Sequence, residues 1–167
     1  MSEPGKEDRP QLAASLSMQP VESMTTAAAG LVASFLNGLF REVHSRRLAT
    51  RIYVGVSELL TNVLQHATVR DGEVNLNLHL QPDCLSVKVQ NRASIEEYEK
   101  VQAIVEALAA SESPQALFVR TLRDRRDHHQ EGGLGLIRLV VECKFQLAIQ
   151  YSDDLLTIEA KLPLGDP

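Results

Sequence analysis

The chain has 167 residues, and its apolar fraction of 44% and charged fraction of 23% are those of an ordinary globular domain. Its net charge of −5 argues against broad binding to nucleic acid, which needs a basic surface. No stretch approaches the ~18 consecutive apolar residues of a membrane span, and the N-terminus lacks the apolar core of a signal peptide. The 2 cysteines are too few for a disulfide framework and favour a reducing compartment. We therefore expect a cytoplasmic protein with no membrane segment and no nucleic-acid partner.

The first part of the chain predicts a strand followed by two helices. Residues 1–10 are polar and contain prolines and a glycine, which indicates a disordered tail before a single domain over 11–167. A short edge strand is predicted over 11–18, and Pro20 suits the first turn of a helix from Val21 to about Val43. The apolar stripe of this helix could be core or dimer surface, and it contains Leu31, Val32, Phe35, Leu36, Leu39, Phe40 and Val43. Ser45 is expected to cap a second helix, over 46–67.

The rest of the chain predicts two β-hairpins separated by helices. Alternation of apolar and polar residues over 74–80 and 85–90 indicates the first hairpin. Ser94 to Glu97 matches a capping box, which begins a helix to about Ala110. The other predicted elements are a helix from Ser113 past Leu122, a loop over 123–133, a short helix over 135–143 and a hairpin over 145–151 and 155–162. This order predicts an α/β (α+β) two-layer sandwich, with a mixed, mainly antiparallel sheet covered by helices on one face.

The second predicted helix carries three polar residues in a row. Glu58, Asn62 and His66 are four residues apart, so they lie along one ridge of the helix. The residues between them are largely apolar, and polar groups on such a helix have a cost unless they are partnered or solvated. The row is either a hydrated stripe on a surface helix or a site for a ligand.

A glycine-rich segment begins the short helix later in the chain. Gly133 and Gly135 allow the backbone to approach a ligand closely, and a helix N-terminus offers unpaired N–H groups and the positive end of a dipole, which suit phosphate. The preceding loop is rich in arginine and histidine, which could help to neutralise a polyphosphate. The alternatives are a tight turn and a solvated loop.

These two segments together resemble a known family. Glu-Leu-Leu-Thr-Asn-Val-Leu-Gln-His-Ala at 58–67 resembles the N box of the GHKL (Bergerat-fold) ATPases, and Gly-Leu-Gly-Leu at 133–136 resembles their second glycine box. The resemblance covers about 11–163. In its small size the chain resembles the members of the anti-sigma-factor branch, which are serine/threonine protein kinases of bacterial partner-switching systems. It implies a Bergerat ATP-binding fold, ATP and Mg²⁺ as cofactors, a small protein partner that is phosphorylated, and a homodimer.

The resemblance also implies roles for single residues. Asn62 would be the Mg²⁺ ligand, and His66 would lie near the nucleotide. Glu58 would hold a metal-bound water or act as the base on the attacking hydroxyl. The loop over about 123–132 would be the nucleotide lid. The phosphates would be contacted by backbone N–H groups of the second glycine box and by a basic lid residue, namely Gly133, Leu134, Gly135 and Arg126.

The chain departs from the family after the first hairpin. The family has an Asp-x-Gly-x-Gly box there, whose Asp accepts a proton from the adenine amino group, whereas this chain has Asn91-Arg92-Ala93-Ser94-Ile95. Asn91 can still accept through its amide oxygen. This Asn and the long helical stretch over 94–122 resemble a variant branch of partner-switch kinases. Two functions stay open, a kinase that phosphorylates and/or sequesters its partner, and a non-catalytic Bergerat-fold module that has lost adenine recognition and only sequesters.

Overall fold

A computed structural model of the chain describes residues 11–128 and 133–164, and at 125–128 it describes the backbone alone. The predicted tail over 1–10 lies outside the described residues. The strands are β1 Leu12–Met18, β2 Val74–Leu80, β3 Cys84–Arg92, β4 Gln146–Ser152 and β5 Leu155–Pro163. The α-helices are α1 Thr26–Val43, α2 Arg46–His66, α3 Ile95–Ala110, α4 Pro114–His128 and α5 Leu134–Val141. None of the described helices is long and apolar enough to cross a membrane.

The five described strands form one open sheet in the order β1-β2-β3-β5-β4. Every neighbouring pair in this sheet is antiparallel, so the prediction of a mixed sheet is wrong for the described residues. The reason lies in the connections. The helical hairpin α1–α2 returns the chain to the end where β1 stops, so that Met18 pairs with Val74 at the start of β2. The strand β4 runs parallel to β3, but β5 lies between them.

The core lies between one face of the sheet and the helices. In β2, β3 and β5 alternate residues are buried, and the residues between them are half-buried or exposed and mostly polar. This period-two pattern is the one that the sequence predicts, and it gives an α+β protein with helices packed on one sheet face. The helix α2 lies at the centre of this packing, and its buried residues include Ile52, Leu59, Leu60 and Val63.

The first helix begins later than predicted. Val21–Ser23 form one turn of 3₁₀ helix, and α1 begins only at Thr26. The backbone N–H groups of Val21 and Glu22 donate to the carbonyl groups of Gly72 and Arg70, at 3.1 and 2.8 Å. This turn is therefore attached to the segment before β2, and the extended residues that follow it separate it from α1.

The apolar stripe of α1 divides into two sides. Its buried residues are Ala29, Ala33, Leu36 and Phe40. A second row remains at the surface, and Leu31 and Phe35 are 72% and 70% exposed. Next to this row is β1, an edge strand that contains neither a charged residue nor a proline. The stripe is thus both core and an exposed apolar surface.

The helix α4 extends into the predicted loop. Residues 123–128 are its last turns rather than part of a loop, and 129–132 lie outside the described residues. Ser113 begins the helix, because its hydroxyl accepts from the N–H of Ala116 at 3.2 Å. Residues 123–128 lack apolar side chains, but they also lack glycine and proline, and arginine favours helices. Missing apolar periodicity therefore does not end a helix that is already formed.

Candidate functional site

A cavity of about 420 Å³ lies between α2, the end of β3, α3 and the start of α5. Four residues that the sequence singles out line it, namely Asn62 and His66 from α2, Asn91 from β3 and Gly133 before α5. They come from three separate parts of the chain. The volume is in the range of pockets that hold small ligands.

The position of α2 explains why two of these residues share the cavity. The hydroxyl of Ser45 accepts from the N–H of Leu48 at 3.3 Å and caps the helix as predicted. The apolar side of α2 is buried in the core, which fixes the rotation of the helix about its axis. Asn62 and His66 are four residues apart, so both are presented to the same cavity.

Asn91 is the one buried polar residue among those that the structure describes, with 5% of its surface exposed. It lies on the inner face of β3, two residues after the buried Val89. Its side-chain N–H group donates to the carbonyl of Arg92 at 2.8 Å. Among the backbone groups and side chains that the structure describes, none donates to its Oδ1 atom. An unpaired buried acceptor costs free energy, so this oxygen is suited to a donor from a bound molecule.

The start of α5 offers N–H groups beside the cavity. Gly133 is the N-cap and has a φ of 83°, a left-handed conformation that favours glycine. No side chain caps the helix, and the N–H of Ile137 is the one that bonds back to the carbonyl of Gly133, at 3.2 Å. The preceding N–H groups therefore have no partner within the helix. Such groups, with the helix dipole, favour an anion.

Glu58 lies beside this helix start and does not line the cavity. Its Oε1 atom accepts from the guanidinium of Arg138 on α5 at 2.9 Å, and Arg138 also donates to Glu142 at 2.7 Å. The hydrogen bond to Glu142 raises the pKa of Arg138, and the charge of Glu58 adds to this effect, so the guanidinium stays charged. The structure thus separates Glu58 from Asn62 and His66 by engaging its carboxylate with α5.

The contact between Glu58 and Gly135 predicts different effects of two alanine substitutions. A Cβ atom at Gly135 would overlap the Glu58 carboxylate, so Gly135→Ala displaces Glu58 and breaks its ion pair with Arg138. We expect this variant to leave the free energy of unfolding unchanged within about 0.5 kcal/mol, because the loss of an exposed ion pair worth about 0–1 kcal/mol offsets the better helix propensity of alanine. The measurement is urea denaturation.

The matched control is Gly38→Ala on α1, where a Cβ atom has no neighbour within 4 Å. This substitution should raise the free energy of unfolding by about 0.5–1 kcal/mol. Equal stabilisation by both substitutions would contradict the placement of Glu58 against Gly135.

The other predicted site residues have different positions. Leu134 is half-buried at the start of α5 and does not line the cavity. Arg126 lies on the part of α4 whose backbone alone is described. The predicted lid over about 123–132 is helix up to 128, and 129–132 lie outside the described residues.

Sequence reasoning missed one wall of the cavity, which α3 supplies. The lining residues of α3 are Glu97, Lys100, Val101, Ala103 and Ile104. The sequence does contain a signal for this stripe of residues, because the capping box fixes where the helix starts and the five positions follow helical spacing. The docking of α3 on the cavity was not readable from the sequence.

The residues at the cavity include groups that could bind the cofactors that the resemblance implies, ATP and Mg²⁺. Within the described part of the chain, no group of three His, Cys, Asp or Glu side chains could hold a metal ion. Mg²⁺ often has few protein ligands and is held by substrate phosphates and water, so one amide oxygen of Asn62 fits that mode. The unpaired oxygen of Asn91 and the N–H groups at α5 fit a nucleotide's base and its phosphates.

Two comparisons with known proteins bear on the identity of the chain. A scan against models of protein families finds no match, and no curated protein matches the sequence.

Proposed function

We propose that the protein is a cytoplasmic, ATP-binding regulatory serine/threonine kinase of the Bergerat fold. It would phosphorylate and/or sequester a small partner protein in a bacterial partner-switching pathway. The observation that carries this proposal is the convergence of Asn62, His66, Asn91 and Gly133 on one cavity, because the family resemblance assigns all four to the nucleotide site.

In this proposal each wall of the cavity has a separate task. The Oδ1 atom of Asn91 accepts a hydrogen bond from the amino group of adenine. The N–H groups after Gly133 bind phosphate oxygens, and Asn62 holds Mg²⁺ through its amide oxygen. When bound, Mg²⁺ supplies positive charge that offsets the charge of the phosphates. His66 forms part of the wall near the nucleotide.

Glu58 would accept the proton of the partner's Ser or Thr hydroxyl. To do so it must exchange Arg138 for that hydroxyl. The side chains of Arg138 and Glu58 are 45% and 23% exposed, and an ion pair so accessible to water contributes about 0–1 kcal/mol. The exchange is therefore inexpensive, and Arg138 remains held by Glu142.

The same ion pair favours a second candidate function. A carboxylate engaged by α5 and absent from the cavity wall suits a non-catalytic module that sequesters its partner. In that case Glu58 connects α2 to α5 and has no role in proton transfer.

Calorimetric titration of the full chain with ATP, with and without Mg²⁺, tests the proposal. Binding that needs Mg²⁺, followed by transfer of radiolabelled phosphate from ATP to a captured partner, supports the kinase. Binding without transfer would reject phosphoryl transfer to that partner and leave nucleotide binding standing. Absence of heat at millimolar ATP would reject nucleotide binding and support the second candidate, the module that has lost adenine recognition.

The proposal includes a homodimer. The uncharged edge strand β1 and the exposed row on α1 form one continuous surface, and the groove between them contains Leu16, Leu31, Phe35 and Leu76. An edge strand without charge or proline can pair with another strand. Antiparallel pairing of β1 with its copy would cover this apolar surface.

A further inference from the structure

One wall of the cavity is a helix that the resemblance does not assign to the site. Its lining residues Glu97, Lys100, Val101, Ala103 and Ile104 recur at helical spacing, so they form one stripe along α3. The first residue of this stripe, Glu97, bonds to Ser94, which follows Asn91 by three residues, and the last, Ile104, contacts Gly133. The helix therefore connects the parts of the cavity wall next to these two site residues.

The first turn of α3 is fixed to the end of α2 by one carboxylate. Glu97 accepts from the N–H of Thr68 at 2.9 Å and from the Thr68 hydroxyl at 2.6 Å. It also accepts from the N–H of Ser94 at 2.8 Å, which completes the capping box. With three donors on its two oxygens, Glu97 is a positioning residue, and its negative charge is largely satisfied.

An aromatic contact holds the same turn to the sheet. The rings of Tyr98 and Tyr151 stack with centroids 5.0 Å apart. The hydroxyl of Tyr151 donates to the carbonyl of Ala93, just before α3, at 3.1 Å. The start of α3 is thus attached both to α2 and to β4.

The middle of α3 meets the start of α5. A Cβ atom placed on Gly133 would come within 2.7 Å of the Cδ1 atom of Ile104, so these two residues are in close contact. Lys100 lies one turn before Ile104 and about one turn after Glu97. Lys100 therefore lies between the two anchored points of α3, and it lines the cavity there.

Among the residues that the structure describes, few charged and titratable groups line the cavity. They are Glu97, Lys100 and His66. The carboxylate of Glu97 is occupied by its three donors, and Lys100 carries a full positive charge on an exposed, flexible side chain. A nucleotide bound with its base at Asn91 and its terminal phosphates at Gly133 would have its sugar and first phosphate groups nearest to Lys100.

From this placement we infer that Lys100 binds a phosphate group of the ligand near its sugar, and that α3 is part of the nucleotide site. The inference rests on the proposed function, because it takes the ligand to be a nucleotide. In this interaction the ammonium group of Lys100 donates a charge-assisted hydrogen bond to a phosphate oxygen. Lys100 would distinguish nucleotides from nucleosides, whereas Asn91 would recognise the base.

Calorimetric titration of the full chain and of Lys100→Met with ADP and with adenosine tests this inference. We expect Lys100→Met to weaken ADP binding about tenfold, since a hydrogen bond to a charged group contributes about that much. Adenosine should bind to the variant as it does to the wild type. Lys100→Arg should recover most of the ADP affinity.

The matched control is Lys88→Met, which removes the same charge from the sheet face that the helices do not cover. It should leave ADP binding unchanged. Equal ADP affinity of Lys100→Met and wild type would overturn the role of Lys100 while leaving the proposed function intact. Equal weakening of ADP and adenosine would show a structural role and overturn it too. If the wild type binds neither ligand, the proposed function fails together with the inference.

Discussion

Replacing Asn62 by alanine is expected to abolish measurable binding of Mg-ATP while leaving the melting temperature of the ligand-free protein nearly unchanged. Asn62 is half-buried at the cavity, and the described structure gives its side chain no hydrogen bond that folding needs. Its loss removes the amide oxygen proposed to hold Mg²⁺, while the buried side of α2 stays intact. Calorimetric titration and thermal denaturation measure the two effects.

Gln65→Ala provides the control for this prediction. Gln65 carries the same carboxamide on the same helix, but it is exposed and lies outside the cavity wall. This variant should bind Mg-ATP as the wild type does. A melting temperature that falls sharply in Asn62→Ala alone would show that Asn62 is a structural residue, and unchanged binding would remove it from the site.

A second large effect is expected from Asn91→Ala. The wild type should prefer ATP to inosine triphosphate, which carries an oxygen where adenine carries its amino group and so cannot donate to Asn91. The substitution should weaken ATP binding about 10–100-fold and abolish this preference, because it removes a buried acceptor. Calorimetric competition between the two nucleotides measures both the affinity for ATP and the preference for ATP over inosine triphosphate.

Asn91→Ala should also destabilise the ligand-free protein by about 1–2 kcal/mol, since it leaves the carbonyl of Arg92 without its donor. The control is Asn75→Ala, on the polar face of β2, which should change neither affinity nor preference. A variant that keeps the wild-type preference for ATP would exclude Asn91 from base recognition, whatever its stability.

Much of the fold was predictable because strong local signals determine it. Alternation over 74–80 predicted β2, and the capping box at Ser94 predicted the start of α3. The end of α4 was missed because residues 123–128 lack apolar periodicity, although their helix propensity is adequate. The start of α1 was missed because hydrogen bonds from Val21 and Glu22 to a distant turn fix that segment, and such bonds have no local pattern.

The site was predictable where it follows the period of one element. The four-residue spacing placed Asn62 and His66 on one side of α2. Asn91 was assigned to the site through the family resemblance alone, because the predicted strand ended at 90, whereas β3 continues to Arg92. Glu58 shares the spacing of α2, yet Arg138 draws its carboxylate to α5. The contribution of α3 depends on how Glu97 attaches that helix to Thr68, a contact between residues far apart in sequence.

The amide at position 91 has a consequence for acidic conditions. A carboxylate buried to the same degree would take up a proton as the pH falls and turn from an acceptor into a donor. An amide does not titrate, and the bond to Arg92 holds its N–H group in place. The oxygen therefore keeps the same character over the whole range in which the protein is folded. If the proposed nucleotide binds here, its recognition by this residue would therefore not change with the acidity of the surroundings.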